Sequence, residues 1–160
     1  MGRYNTAQIC LNGHVVSSMA DASPEFQKNF CAECGEETIM KCPSCNNFIK
    51  GSYEAPGFIG IVEYDRPKFC DNCGKPYPWT DRKANAAKSL VDFTEGLTAS
   101  EKEDLKKSID DLIKDSPEST VAQAKFKKYI TKVGGVVASG LKELLFDLVS
   151  EFVKKSLWNG

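Results

Sequence analysis

Histidine is almost missing from this sequence: of 160 residues only one, His14, carries an imidazole. That rules out any histidine pair for proton transfer, and it makes the fate of His14 decisive for every catalytic reading. Long apolar runs are missing too. Lys142, Glu143, Asp147 and Glu151 break up the most apolar part of the chain, so no stretch of about 18 residues can serve as a spanning helix. The opening MGRYNTAQIC has neither an apolar core run nor a cleavage site, so secretion is not expected. Met1-Gly2 and Thr6 have the spacing of a myristoylation signal, but Asn5-Thr6 reads as the lead-in to a strand and acylation is given little weight. Finally, neither sign of charge dominates: 21 basic residues face 22 acidic ones, a formal net charge of −1.

What the chain does have is cysteine, in an ordered pattern. All seven cysteines and His14 fall into four short pairs: Cys10 with His14, Cys31 with Cys34, Cys42 with Cys45, and Cys70 with Cys73. Eight soft donors make two tetrahedral zinc sites. Three pairs are C-x-x-C, a spacing that lets one tight turn aim two sulfurs at one metal. Gly35, Asn46 and Gly74 follow these pairs directly, and Gly13 lies inside the first one. Such residues accept the positive φ that the turn requires. One C-x-x-C alone could be a redox dithiol; four pairs with no spare cysteine point to metal. A disulfide framework fails because seven is odd, a C-x-x-C pair makes a poor structural disulfide, and no secretion signal is apparent. Thiolates held for metal imply a reducing compartment, so the cytoplasm is expected.

Taken in order, Cys10, His14, Cys31 and Cys34 form one zinc site and Cys42, Cys45, Cys70 and Cys73 the other, giving two zinc ribbons in tandem. A crossed pairing, first with third and second with fourth, is the alternative. Loop economy and the opening C-x-x-x-H favour the sequential form. Residues 1–79 hold seven basic and nine acidic residues. Seven thiolates and two zinc ions bring that region to about −5, a poor match for a polyanion. Its strands are expected at Ala7–Cys10 and His14–Ser17, with Phe58–Tyr64 as the strand of the long second loop, while Thr38–Lys41 leads into the CPSC turn and Phe48–Lys50 leads out of it. Trp79, after Pro76 and Pro78, is placed to cover a metal centre or to dock on the helical part.

The segments YNTAQICLNGHVV, FCAECGEETI, KCPSCN and FCDNCGKPYPWT resemble an uncharacterised prokaryotic zinc-ribbon family catalogued as domain of unknown function 2321. The likeness covers about the first 80 residues and includes all eight donors. It implies an intracellular zinc protein and supplies no reaction.

From residue 80 to 160 the pattern turns helical, giving an all-α region that follows the small zinc-bound β module. Thr80 or Asp81 can cap a helix running to Gly96. Thr98-Ala-Ser-Glu101 is a capping box, with Leu105, Ile109, Leu112 and Ile113 on one face of the helix it opens. Ser116-Pro117 begins another, carrying Val121, Phe126, Ile130 and Val133, which Gly134-Gly135 ends or interrupts. Val137, Leu141, Leu144, Leu145, Leu148, Val149, Phe152 and Val153 then form one wide stripe, read as a bundle or self-association face rather than an interfacial helix.

Three function classes follow. The favoured one is a non-catalytic zinc-binding interaction or adaptor protein, docking on a partner or on itself through its C-terminal helices. A zinc-ribbon nucleic-acid-binding or transcription-associated protein is the alternative, and the acidic module argues against it. An enzyme is not expected. With His14 and every thiol bound to metal no nucleophile or base of those types is left, and a deaminase pattern is missing because Val16 and Lys41 stand where it needs Glu and Pro.

Overall fold

The computed structural model describes residues 1–158. The chain divides into two compact units, Met1–Asp81 and the residues from Arg82 onward.

The first unit is built from very short strands. Strand β1 (Arg3–Thr6) pairs antiparallel with β5 (Lys50–Glu54), and β2 (Gln8–Cys10) lies between β3 (Val15–Ser17) and β4 (Thr38–Ile39), both antiparallel to it. Strands of two to five residues bury little by themselves. The core is correspondingly small: Ala7, Ile9, Ile49, Tyr77 and Trp79 enclose Cys42 and Cys70. Gly51 lets the two sheets approach, since a Cβ there would stand 2.1 Å from the Ser18 carbonyl oxygen.

The strand expected over Phe58–Tyr64 does not form; the segment has no regular structure, bends at Gly60 and has no ladder partner. Its β-rich composition is present, and a neighbouring edge is not. Conversely β5, whose sequence KGSYE lacks apolar alternation, is a full strand because its backbone closes the ladder with β1.

In the second part of the chain α1 (Pro78–Asp92), α2 (Ala99–Lys114), α3 (Glu118–Ile130), α4 (Gly135–Phe146) and α5 (Glu151–Trp158) follow in order. Helix α1 begins at Pro78, ahead of the expected Thr80 or Asp81 cap and in keeping with the fixed φ of proline in a first turn. The Thr98 capping box is present: Glu101 N–H donates to Thr98 Oγ1 (3.2 Å) and Thr98 N–H to Glu101 Oε2 (2.9 Å). Helices α2 and α3 pack as a hairpin closed by Asp115 in the left-handed region. Leu105, Ile109, Leu112, Ile113 and Phe126 are buried, whereas Val121 is exposed and Ala122, Gln123 and Tyr129 take the inner face of α3.

The last apolar stripe is two helices instead of one. The chain leaves α4 at Asp147, which pairs with Lys83 at 2.6 Å, and restarts with Ser150 accepting from Val153 N–H before α5. The break rotates the stripe: Leu141, Leu145, Leu148, Val149 and Val153 are buried, Phe152 is exposed. No helix among the described residues is long and apolar enough to cross a membrane.

Candidate metal centre

Three turns of the first unit share one backbone plan. In each, the first cysteine donates its N–H to the carbonyl five residues on and accepts from the N–H four residues on: Cys31 with Glu36 and Gly35, Cys42 with Asn47 and Asn46, Cys70 with Lys75 and Gly74. The residue after the second cysteine takes a left-handed φ, +74° at Gly35, +64° at Asn46 and +75° at Gly74. This winding points both sulfurs of a C-x-x-C to one side. The Cys10–His14 turn is different, with Gly13 at φ +94° and His14 N–H donating to Cys10 Sγ at 3.3 Å. A side chain at Gly13 would also strike Trp79 Cβ, 2.9 Å away.

These turns bring together two four-donor sets, Cys10–His14–Cys31–Cys34 and Cys42–Cys45–Cys70–Cys73, with all donor atoms of a set within 4.8 Å of one another. The association is sequential, first turn with second and third with fourth. Four sulfurs at the usual zinc distance from one centre stand about 3.8 Å apart, and sulfur to imidazole nitrogen about 3.6 Å. The sulfur pairs Cys10–Cys34, Cys42–Cys73 and Cys45–Cys70 lie at 3.7, 3.8 and 3.6 Å. His14 Nδ1 lies 3.4 Å from Cys10 Sγ and 3.6 Å from Cys31 Sγ. These separations are far too long for disulfide bonds and fit the edges of a tetrahedron around a metal ion.

Electrostatics support the same conclusion. Left with protons alone to share, the crowded thiols separate into ionised and neutral members. The Glu36 N–H and the Asn12 amide bring Cys34 down to about 6, while burial raises Cys10. In the second set burial pushes Cys70 up, but the N–H groups of Cys73 and Asn72 outweigh it and hold the thiol at about 6. The Lys75 N–H acts to lower Cys73; burial and its three sister cysteines override it, to about 11. A divalent cation removes this conflict, because all donors can then ionise together.

Around these donors lie residues that the cysteine spacing did not point to. His14 Nε2 faces Glu33 Oε2 at 3.4 Å, in the place where an outer carboxylate would orient a ligating imidazole. Its only sequence cue was an acidic residue inside the CAEC turn. Arg66 donates to the Gly13 carbonyl at 2.7 Å, and nothing in its local sequence announced that role. Trp79 is fully buried, stacks on Tyr77 at 4.7 Å and donates Nε1–H to the Pro67 carbonyl. It thereby joins the Gly13 turn to the core that holds Cys42 and Cys70.

The chain matches the family model described as an uncharacterised protein conserved in bacteria (DUF2321) over residues 3–157. It belongs to this family. The match takes in the helices as well, so the resemblance seen in the first 80 residues was too narrow: the β region and the helical region are parts of one DUF2321 unit. No curated protein and no solved structure matches the DUF2321 chain.

Proposed function

We propose that this chain is a non-catalytic zinc protein of the bacterial cytoplasm that works by binding another protein. The observation that carries the reading is that every thiol and the one imidazole are gathered into two four-donor sets. Sulfur-rich tetrahedral sets favour zinc over hard cations, and four protein donors leave no position for water or substrate. With those groups committed, no histidine or thiol is left for acid–base or nucleophilic work. The ions then act as scaffold, holding two tandem zinc ribbons whose strands are too short to stand alone. Docking or self-association is assigned to the helices, where Phe93, Val136 and Phe152 are 79, 90 and 70 % exposed.

Two measurements test this. Elemental analysis of protein purified without denaturant should give two zinc ions per chain, and native co-purification should recover a protein bound in stable ratio, or a second copy. One ion or none would refute the metal reading; a monomer with no partner would refute the interaction reading.

A nucleic-acid reading has one observation in its favour. Phe30 and Phe48 are exposed on a groove shared with Ile39, Met40 and Lys41, and the Lys41 ammonium lies 4.8 Å over the Phe48 ring. Open aromatics beside lysine are what single strands stack on. The acidic balance of the region opposes it, so binding of a labelled single strand should be weak and nearly flat with salt. Tight, salt-sensitive binding would put this reading first.

A further inference from the structure

The segment following β5 exposes aliphatic surface to an unusual degree. Ile59 and Ile61 are 100 and 103 % exposed, and Phe58 and Val62 are 62 and 51 % exposed. Scattered apolar residues on a surface are ordinary, but four within five consecutive residues are not. Among the described residues none makes a backbone hydrogen bond to residues 59–63, so a run of peptide groups stays open to solvent.

The backbone bends at Gly60, yet alternate side chains of the segment still fall in different surroundings. Phe58 and Val62 line a cavity with Asn5, Ser18 and Ser52, and Tyr64 packs on the core and donates to the Lys50 carbonyl at 2.6 Å. Ile59 and Ile61 fall on the alternate positions and meet nothing. Phe58 and Val62 are therefore partly covered by their own unit, while Ile59, Ile61 and the backbone of residues 59–63 are unused. Sequence composition favours a strand here, and the missing ingredient is an adjoining edge.

Charge decides among occupants. Glu63 and Asp65 follow the isoleucines directly, in a unit whose formal balance is negative before metal and thiolates are counted. An anionic lipid surface is repelled by that arrangement, and two copies meeting loop to loop would oppose the same carboxylates. A cationic protein rim is complementary.

We propose that residues 58–63 are a recognition strand that adds to an exposed sheet edge of another protein, with Ile59 and Ile61 entering an apolar cleft rimmed by Lys or Arg opposite Glu63 and Asp65. Strand addition of this kind takes affinity from main-chain hydrogen bonds and specificity from alternate side chains. The inference rests on the interaction reading above and moves the contact from the helices to the metal-bearing unit.

The test is photo-crosslinking in the native host, with full-length metal-loaded protein carrying p-benzoylphenylalanine at position 59 and, in a parallel strain, at exposed position 152. The expected result is an adduct from position 59 to one protein, mapped to an edge strand with Lys or Arg beside it. Ile61→Asp should cut its yield at least about tenfold, and Glu63→Lys should weaken the isolated complex while flattening its salt dependence. Both changes should leave metal content and melting temperature as they are, because these side chains support nothing at home. Adducts to the chain itself, to lipid or to a partner site without basic residues overturn the inference, as does insensitivity to Ile61→Asp. Flotation with phosphatidylcholine vesicles, with or without phosphatidylglycerol, is expected to be negative, and a positive result counts against it. An adduct from position 152 alone sinks this inference and leaves the interaction reading standing; adducts from neither position sink both.

Discussion

His14 divides its two ring nitrogens between the first donor set and Glu33. A carboxylate at Nε2 fixes the tautomer that offers Nδ1 and makes the imidazole a stronger donor. Glu33→Gln should therefore weaken metal binding at the first set by about tenfold or more, with the second set unchanged, as read by competition with a chromophoric chelator. Cys70→Ser tests the other set: Cys70 lies in the core beside Tyr77 and Trp79, so losing its ion should expose Trp79. Tryptophan fluorescence of this variant should resemble that of chelator-treated protein, red-shifted toward solvent. At this scale the gathering of seven cysteines and His14 into two sets was legible from their paired spacing, because such spacing is local chemistry. Arg66 and Trp79 were less so, since their contacts span 53 and 12 residues of sequence.

Among the elements, α2 was the easiest to read, with a capping box at one end and four apolar positions on one face. Glu101 serves twice there, closing the box and pairing with Lys132 at 2.5 Å. Thr98→Ala should cost about 1 kcal/mol by thermal or urea unfolding. The final stripe misled because apolar periodicity runs unbroken through Leu148 and Val149, while the stop is signalled only by Asp147 and by Ser150-Glu151 as a new cap. Leu148 is buried at the bend between α4 and α5. Leu148→Asp should lower stability by about 3 kcal/mol or more without changing metal content, whereas Phe152→Asp should fold as the wild type does. The Phe58–Tyr64 strand was misread for a different reason. Propensity describes a segment, and a strand also needs an edge to pair with.

For the whole molecule, the zinc reading carries a prediction about charge. Seven thiols that ionise and two divalent ions change the balance by about −3, so native protein should focus below the sequence value of 5.9. Acid has a second target in the helices. Lys125 and Tyr129 hold the Asp104 carboxyl below its ordinary 3.8, and Lys132 with Thr98 holds Glu101 below 4.5. Depressed folded values mean that this stabilisation is present at neutral pH, starts to fade as pH falls past those ordinary values, and is gone below the folded ones. Far-ultraviolet circular dichroism should record helix loss beginning near pH 4.5, and Asp104→Asn should make the loss less steep.

The donor sets associate in sequence order, and this bears on how the protein is made. All four donors of the first set have been synthesised by residue 34, well before Cys42 is added, and the loop that carries the second set opens only after the first can close. On the zinc reading proposed above, loading would keep pace with the ribosome, one ion at a time, with no interval in which four unmatched knuckles compete for the same metal. A crossed arrangement would have kept its first set open until residue 45 and left Cys31 and Cys34 waiting until residue 73 emerged.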